Sequence, residues 1–419
     1  MPRYDIVFEH RPIHQENFIS DTFINRDEDI QKADLLFDPQ NQKDMVYVIH
    51  GESRIGKSHL AIYLMEQFYK KYNMIYFYIN ANTRGYASDI LKTLLDQLAD
   101  HVHSLKPEQY QNEHEFLKTY LNDLGNVFYG VPGKIAFKKS REFQQKLSPS
   151  FKARFPFLDV QLGENQDRKK QNELSVEFTK ISDFKFRDIL SRCFELLSFI
   201  TGQPLLLLVD DLDLLEEIDE GEKQRDILSN HLKYYATIKK VTVFSTIRTQ
   251  YFTERQKELH DFIKVSRLSN RDLKAIYQKR IDAYHKSIPI FSDDILSRLI
   301  NGFNGYVGIF LYECYLIMRT HLIKIHNNQV VEEQLLKAYF KKELDSFASN
   351  PETKPVFDQI LTGIKSDHTE IDIANLMPSQ GFIYRVLIPK GYKHNKDDAK
   401  KTYDVLPIWV QAIREYYDQ

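Results

Sequence analysis

The stretch Gly51-Glu52-Ser53-Arg54-Ile55-Gly56-Lys57-Ser58 constrains this chain more than any other. It fits G-x-x-x-x-G-K-[ST] and stands where that pattern has physical meaning. Before it, Met45–Ile49 is a short apolar run of the kind that forms a buried strand. After it, Leu60, Ala61, Leu64, Met65 and Phe68 recur at helical spacing. A strand that turns directly into a helix leaves the first helical N–H groups unpaired, and with the helix dipole they attract anions. Gly51 and Gly56 let the backbone curl so that further N–H groups face phosphate oxygens. Lys57 is expected to reach the β- and γ-phosphates of a nucleotide, and the Ser58 hydroxyl to bind Mg2+. The nucleotide-binding candidates are therefore Gly51, Glu52, Ser53, Arg54, Ile55, Gly56, Lys57, Ser58 and the next helical residue, His59. ATP and Mg2+ are the expected ligands.

Such a loop needs a second strand that ends in a carboxylate. Pro204–Asp211 reads PLLLLVDD, an apolar run closed by two acids. Asp210 is expected to hold Mg2+ through water, and Asp211 to orient or deprotonate the attacking water. An isolated run of this kind could be a buried strand whose aspartates merely start a turn, but beside the loop the metal reading is stronger. A third strand, Val241–Ile247, is followed by Arg248. Ser245, Thr246 and Arg248 are each placed to sit near a γ-phosphate, and sequence alone does not choose among them. Met74–Asn80 and Phe262–Leu268 complete a set of five strand-like segments separated by helical stretches. The expected fold is α/β: a P-loop NTPase with a five-stranded parallel sheet, helices on both faces, and ligands at the carboxyl ends of the strands.

Composition narrows the class. The chain has 419 residues, 42% hydrophobic and 28% charged, with only 15 Gly and 14 Pro, which excludes a collagen-like or largely disordered chain. Its 28 Phe and 25 Tyr against one Trp suggest helices packed by large side chains. Two cysteines, Cys193 and Cys314, make no disulfide framework or CxxC ligand set. No apolar run spans a membrane and the first residues hold no signal core, so a cytoplasmic location is expected. A net charge of -2 means that any nucleic-acid contact comes from local patches.

With these motifs in place, the chain resembles the AAA+ and STAND branch of P-loop ATPases, particularly origin-recognition-like and archaeal-type ATPases. FINRDEDIQKA, Phe23–Ala33, is similar to the box F-[VI]-x-R-[ED]-x-E-I that precedes the loop in that group. The hhhhDD form of Leu205–Asp211 resembles the STAND Walker B strand, and FSTIR, Phe244–Arg248, its T-x-R sensor 1. The resemblance covers roughly residues 20–320. It implies that Arg26 and Asp27 lie near the adenine and Arg248 near the γ-phosphate. The lid departs from the group's pattern: in Asn301–Tyr315, Val307 stands in the proline position of a G-x-P turn and no sensor 2 arginine follows. Arg255 sits where arginine fingers often lie, though a solvated helix arginine reads the same.

Three regions are expected: an ATPase domain over 1–268, a helical lid over 269–349 and a winged-helix-like domain over 350–419. The first is interrupted over about 101–172 by material that nucleotide binding does not require. Within it, Lys134–Arg154 is strongly basic, and Phe155–Leu162 with Leu174–Phe178 reads as a hairpin with a loose tip. This patch fits a nucleic-acid backbone, a solvated arm or a dock for an acidic protein. In the lid, Ser269 and Asp272 form a capping box, Ser292–Phe303 is a helix, and Val307–Ile325 a buried one. In the last domain Val356–Ile364 reads as a helix, Phe382–Ile388 as a strand, 390–401 as a Lys-rich turn, Tyr403–Val405 as a strand and Ile408–Tyr417 as a closing helix. Lys390, Lys393, Lys396, Lys400 and Lys401 could meet phosphates, although Asp397 and Asp398 share the turn.

Two functions follow. The first is a slow or partner-stimulated Mg-dependent ATPase that acts as a conformational switch or assembly ATPase. Its output would be an effector protein or self-association, and the family resemblance admits a prokaryotic antiviral-defence or mobile-element role. The second is a DNA-binding AAA+ ATPase related to replication initiators or transposition regulators.

Overall fold

The computed structural model describes residues 26–37, 44–81, 87–107, 109–128, 183–213, 221–252, 260–284, 288–321, 325, 330–372, 380–395 and 398–417. The basic stretch Lys134–Arg154, the hairpin expected after it, Arg255 and Phe23–Asn25 of the box before the loop lie outside the described residues.

The chain begins with α1 (Asp27–Leu36), β1 (Val46–Gly51), α2 (Lys57–Tyr72) and β2 (Ile75–Asn80). Next come α3 (Ala87–Ser104), α4 (Gln111–Phe128), α5 (Asp183–Thr201), β3 (Leu205–Asp210), α6 (Gly221–Ala236), β4 (Val241–Arg248) and β5 (Asp261–Lys264). The helices α7 (Asn270–Tyr284), α8 (Asp293–Phe303), α9 (Val307–Thr320), α10 (Glu333–Ser349) and α11 (Lys354–Lys365) follow. The chain ends in β6 (Glu370–Asp372), α12 (Gln380–Val386), β7 (Leu387–Asn395), β8 (Asp398–Val405) and α13 (Pro407–Tyr417). All five expected strands form, in a sheet of order β2-β3-β4-β1-β5. β2 pairs with β3 and β3 with β4 in parallel. The interior strand β3 is buried along its whole length, as an unbroken Leu/Val run with neighbours on both sides requires. The edge strand β2 alternates buried and half-exposed residues, and the other edge, β5, is short and carries Asp261 and Lys264, which discourages pairing with another chain.

By contacts the chain divides into two compact units. One holds Met1–Leu35, Val48–Leu64 and Thr246–Gln419; the other holds Leu36–Tyr47 and Met65–Ser245. In the second unit α5 packs on α3, α4 and α6. Phe194 of α5 meets Phe77 of β2 at 5.6 Å and Tyr235 of α6 at 5.5 Å between ring centres. The early part of the expected insertion is thus part of this core: α4 follows α3 closely and buries Leu117 and Leu121. Their four-residue spacing, followed by a three-residue step to Leu124, carries that helical face.

In the first unit the lid helices and the C-terminal region share one core. The capping box forms as expected: the Ser269 hydroxyl donates to Asp272 at 2.7 Å, and the Asp272 N–H donates to that hydroxyl at 3.2 Å. Helix α8 ends at Asn304 in the left-handed region, followed by Gly305 at φ 82°. Gly302 lies so close to α13 that a Cβ there would come within 2.6 Å of the Ile408 Cβ. The C-terminal sheet, β6-β8-β7, with α11, α12 and α13 makes the expected winged-helix-like end. Two local expectations are corrected. Phe382–Val386 is helical, and the strand begins only at Leu387. Phe382 and Val386, both buried, stand four residues apart on one helical face, a spacing that a short apolar run does not separate from strand alternation. The Lys-rich segment is mostly paired strand: Lys393 stands opposite Lys400 and Tyr392 opposite Lys401 in the β7–β8 ladder. Among the described residues no helix is long and apolar enough to cross a membrane.

Candidate nucleotide-binding site

The loop between β1 and α2 keeps its shape through its glycines. A Cβ on Gly51 would come within 2.5 Å of the Ile55 Cδ1 and 2.8 Å of the Val265 carbonyl oxygen, so only glycine fits. Gly56 has φ 99°, a region open to glycine, and Arg54 has φ 64°. Lys57 is 6% exposed, and its amine donates to the Glu52 carbonyl at 2.9 Å. His59, on the first turn of α2, has its Nε2 covered. Burial, with Arg280 and Arg26 adding to it, lowers the His59 pKa to about 3, so the ring is neutral at pH 7.

Arg26 is 7% exposed and lies behind the loop. Its guanidinium donates to the Ile55 carbonyl at 2.5 Å, to the Ser266 carbonyl at 2.7 Å and to Asp29 at 3.4 Å. Burial lowers the basicity of this guanidinium, and Asp29 partly opposes that. Burial likewise raises the Asp29 pKa, against the pull of Arg26. The described contacts of Arg26 are thus with loop backbone, the β5 exit and its own helix.

Two partners of the loop, Arg267 after β5 and Tyr306 in the lid, carry no motif in the sequence. The Glu52 carboxylate accepts hydrogen bonds from Arg267 at 2.9 Å and from the Tyr306 hydroxyl at 2.5 Å. The Arg267 guanidinium lies 4.4 Å over the Tyr306 ring. Burial first, then the Glu52 hydrogen bond and charge, keep the Tyr306 phenol protonated well beyond its ordinary pKa. Beside them the Gly308 N–H donates to the Arg54 carbonyl at 3.0 Å. The sequence signal is faint: Arg267 is the next-to-last residue of the strand-like run Phe262–Leu268, and Tyr306 lies in a turn without proline or arginine.

At the end of β4, Thr246 is fully buried and Arg248 half-buried, with the Arg248 guanidinium 5.2 Å over the Tyr251 ring. Thr249 and His50 share a hydrogen bond at 3.1 Å, which ties the turn after β4 to the end of β1.

In the second unit Asp210 closes β3 level with Asn80 of β2, and it is 1% exposed. The Tyr78 hydroxyl donates to its Oδ2 at 3.1 Å. Burial and the Asp210 charge raise the Tyr78 pKa far above the ordinary phenol value, which keeps that donor protonated. The next residue, Asp211, has φ 58°, a conformation that its short polar side chain tolerates better than most. It turns the chain sharply just after the buried carboxylate. Mg2+ beside a nucleotide takes one or two carboxylates together with phosphate oxygens and water. A buried carboxylate steadied by a phenol at the end of β3 fits that demand.

A family model described as Nephrocystin 3, N-terminal, matches residues 29–131. No curated protein matches the chain. Similar solved structures include Cdc6p of Pyrobaculum aerophilum, with TM-score 0.46 and 12% identity over 98% of this chain and 98% of that one. The ORC2 protein of Aeropyrum pernix, solved with ADPNP and ADP, has TM-score 0.46 and 11% identity over 99% and 98%. Drosophila ORC bound to DNA has TM-score 0.35 and 12% identity over 93% of each chain. The sheet order, the loop and the C-terminal hairpin carry the fold by themselves.

Proposed function

We propose that the chain binds ATP at Gly51–Ser58, hydrolyses it with Mg2+, and uses the lid and wing to turn nucleotide state into binding of a DNA duplex. The loop carries this reading: a glycine-dependent turn opens a helix, and the lysine amine is already held at its rim by the Glu52 carbonyl. Ser58 and Asp210 are assigned to Mg2+, which would neutralise charge on the β- and γ-phosphates. Asp211 takes the role of orienting or deprotonating the attacking water, and Thr246 and Arg248 that of sensing the γ-phosphate. Arg26 supports the loop from behind and is assigned to the adenine side, so Arg26→Ala should relax the base preference of binding.

The DNA part rests on the β7–β8 hairpin. Its ladder pairs Lys393 with Lys400, and its sequence carries Lys390, Lys393, Lys400 and Lys401, basic residues that suit a phosphate backbone. The test is steady-state ATP hydrolysis by the full chain with and without duplex. Lys57→Ala serves as the blank, and Asp210→Asn is expected to lose Mg-dependent turnover. Salt-sensitive stimulation that weakens in Lys393→Gln/Lys400→Gln/Lys401→Gln supports DNA as the output. A slow rate indifferent to DNA would move the output to an effector protein or another copy of the chain.

A further inference from the structure

The lid meets the loop at consecutive residues of one turn. Tyr306 donates to the Glu52 carboxylate, and Gly308 donates its N–H to the Arg54 carbonyl. Between them the Val307 Cγ1 is 3.4 Å from where a Cβ on Gly56 would stand. The turn is itself pinned from below. Gly305, at φ 82°, packs so closely that a Cβ would lie 2.4 Å from the Leu268 carbonyl oxygen and 2.8 Å from the Arg267 Cβ. Leu268 also donates its N–H to the Gly305 carbonyl at 3.3 Å. Arg267 and Tyr306 therefore reach Glu52 as one piece.

What this hold does follows from peptide geometry. The described peptide bonds are all trans, and in a trans peptide the C=O and N–H point in opposite directions. A bond that fixes a carbonyl therefore also aims the N–H on the far side of the same peptide. Lys57 on the Glu52 carbonyl aims the N–H of Ser53, Gly308 on the Arg54 carbonyl that of Ile55, and Arg26 on the Ile55 carbonyl that of Gly56. One of these peptides is thus steered by the lid.

We propose that the Tyr306–Gly308 turn, acting with Arg267, is the element by which the lid registers whether the loop is occupied, in a chain whose lid has no sensor arginine there. The inference rests on the nucleotide reading of the loop. Phosphate drawn to the Ile55 N–H pulls on the peptide whose other end holds Gly308, and by linkage the lid position sets how well that N–H is presented. Helix α9 starts at this turn and carries Glu313 into the buried contact with Arg385 of α12, so a shift of its first residues is delivered to the C-terminal region. Tyr306 and Arg267 are positioning residues: they act through Glu52 and through each other.

Amide hydrogen exchange of the full chain, with and without ATP, tests this. In the wild type, ATP should slow exchange in both the loop and the first turn of α9. Tyr306→Phe loses one hydroxyl bond. It should keep the loop protection at saturating ATP, lose most of the ATP-dependent protection of α9, and bind ATP about tenfold more weakly, within the usual range of coupling between sites. Arg267→Gln should do the same and guards against a folding defect in the first variant. A purely structural role would lower the melting temperature without changing the difference that ATP makes. If both variants bind ATP as the wild type does and protect α9 equally, the inference is wrong while the nucleotide site stands. If the wild type binds no ATP, both readings fall together.

Discussion

Two clusters of the same residue types sit in the first unit, and they differ in burial. Glu52, Arg267 and Tyr306 meet at the loop; Glu313, Arg385 and Tyr339 meet inside the helical core. At the loop the arginine and carboxylate side chains are 39% and 47% exposed, and in the core they are 10% and 0%. The core cluster is also more fully bonded. Arg385 donates to Glu313 at 2.6 Å and to the Tyr339 hydroxyl at 2.8 Å, and also binds Glu343, while Tyr339 donates to Glu313 at 2.7 Å. The Arg385 carbonyl accepts from the Trp409 indole at 2.8 Å, so helices α9, α10, α12 and α13 are joined at one point. Water competes for the groups of an exposed pair, so the pair can be broken and remade for roughly 1 kcal/mol or less. Removing one partner from a buried pair leaves an uncompensated charge, at a cost of roughly 3–5 kcal/mol. The same chemistry thus makes a permanent joint in one place and a contact able to respond to a ligand in the other.

The strongest way to break this comparison is Glu313→Gln, which leaves Arg385 buried with less compensation. Urea unfolding should show a loss of about 3 kcal/mol or more, whereas Glu313→Leu with Arg385→Met should recover much of it, because the desolvation cost disappears with the charges. A loss under about 1 kcal/mol for the single variant would make the core cluster no different from the exposed one.

Acid should act on the loop side. The His59 pKa is about 3 in the folded chain against an ordinary value of 6.5, so the unfolded chain binds the extra proton first. That stability is present above pH 6.5 and is lost as pH falls from 6.5 toward 3, by up to about 1.4 kcal/mol per pH unit. His59→Gln should flatten this slope between pH 6.5 and 5, read from urea midpoints at each pH. An unchanged slope would place the titration elsewhere.

The smallest stability effect should come from Arg267→Gln, less than about 1 kcal/mol in the absence of nucleotide. That contrasts with its predicted effect on the ATP-dependent protection of α9. A variant that melts early and responds normally to ATP would erase the distinction between the clusters.

The difference in legibility has the same origin. The loop and the sheet could be read because each is a contiguous local pattern, and the strand Leu205–Asp210 appears where the apolar run ends in acids. The capping box at Ser269 and Asp272 was legible for the same reason. The partners of Glu52 were hidden because Arg267 and Tyr306 lie 215 and 254 residues away, and no local pattern marks which carboxylate an arginine will meet. Tyr78 was read only as a strand residue, since its bond to Asp210 depends on the β2–β3 register. The Phe382–Val386 helix was missed because its apolar residues suit either period over so short a run.

The central claim is that Gly51–Ser58 binds a nucleotide, and equilibrium titration of a fluorescent ATP analogue with Mg2+ tests it most directly. Saturable binding by the wild type, abolished in Lys57→Ala without loss of the folded state, is the predicted result. Equal affinity in the two proteins would contradict the account.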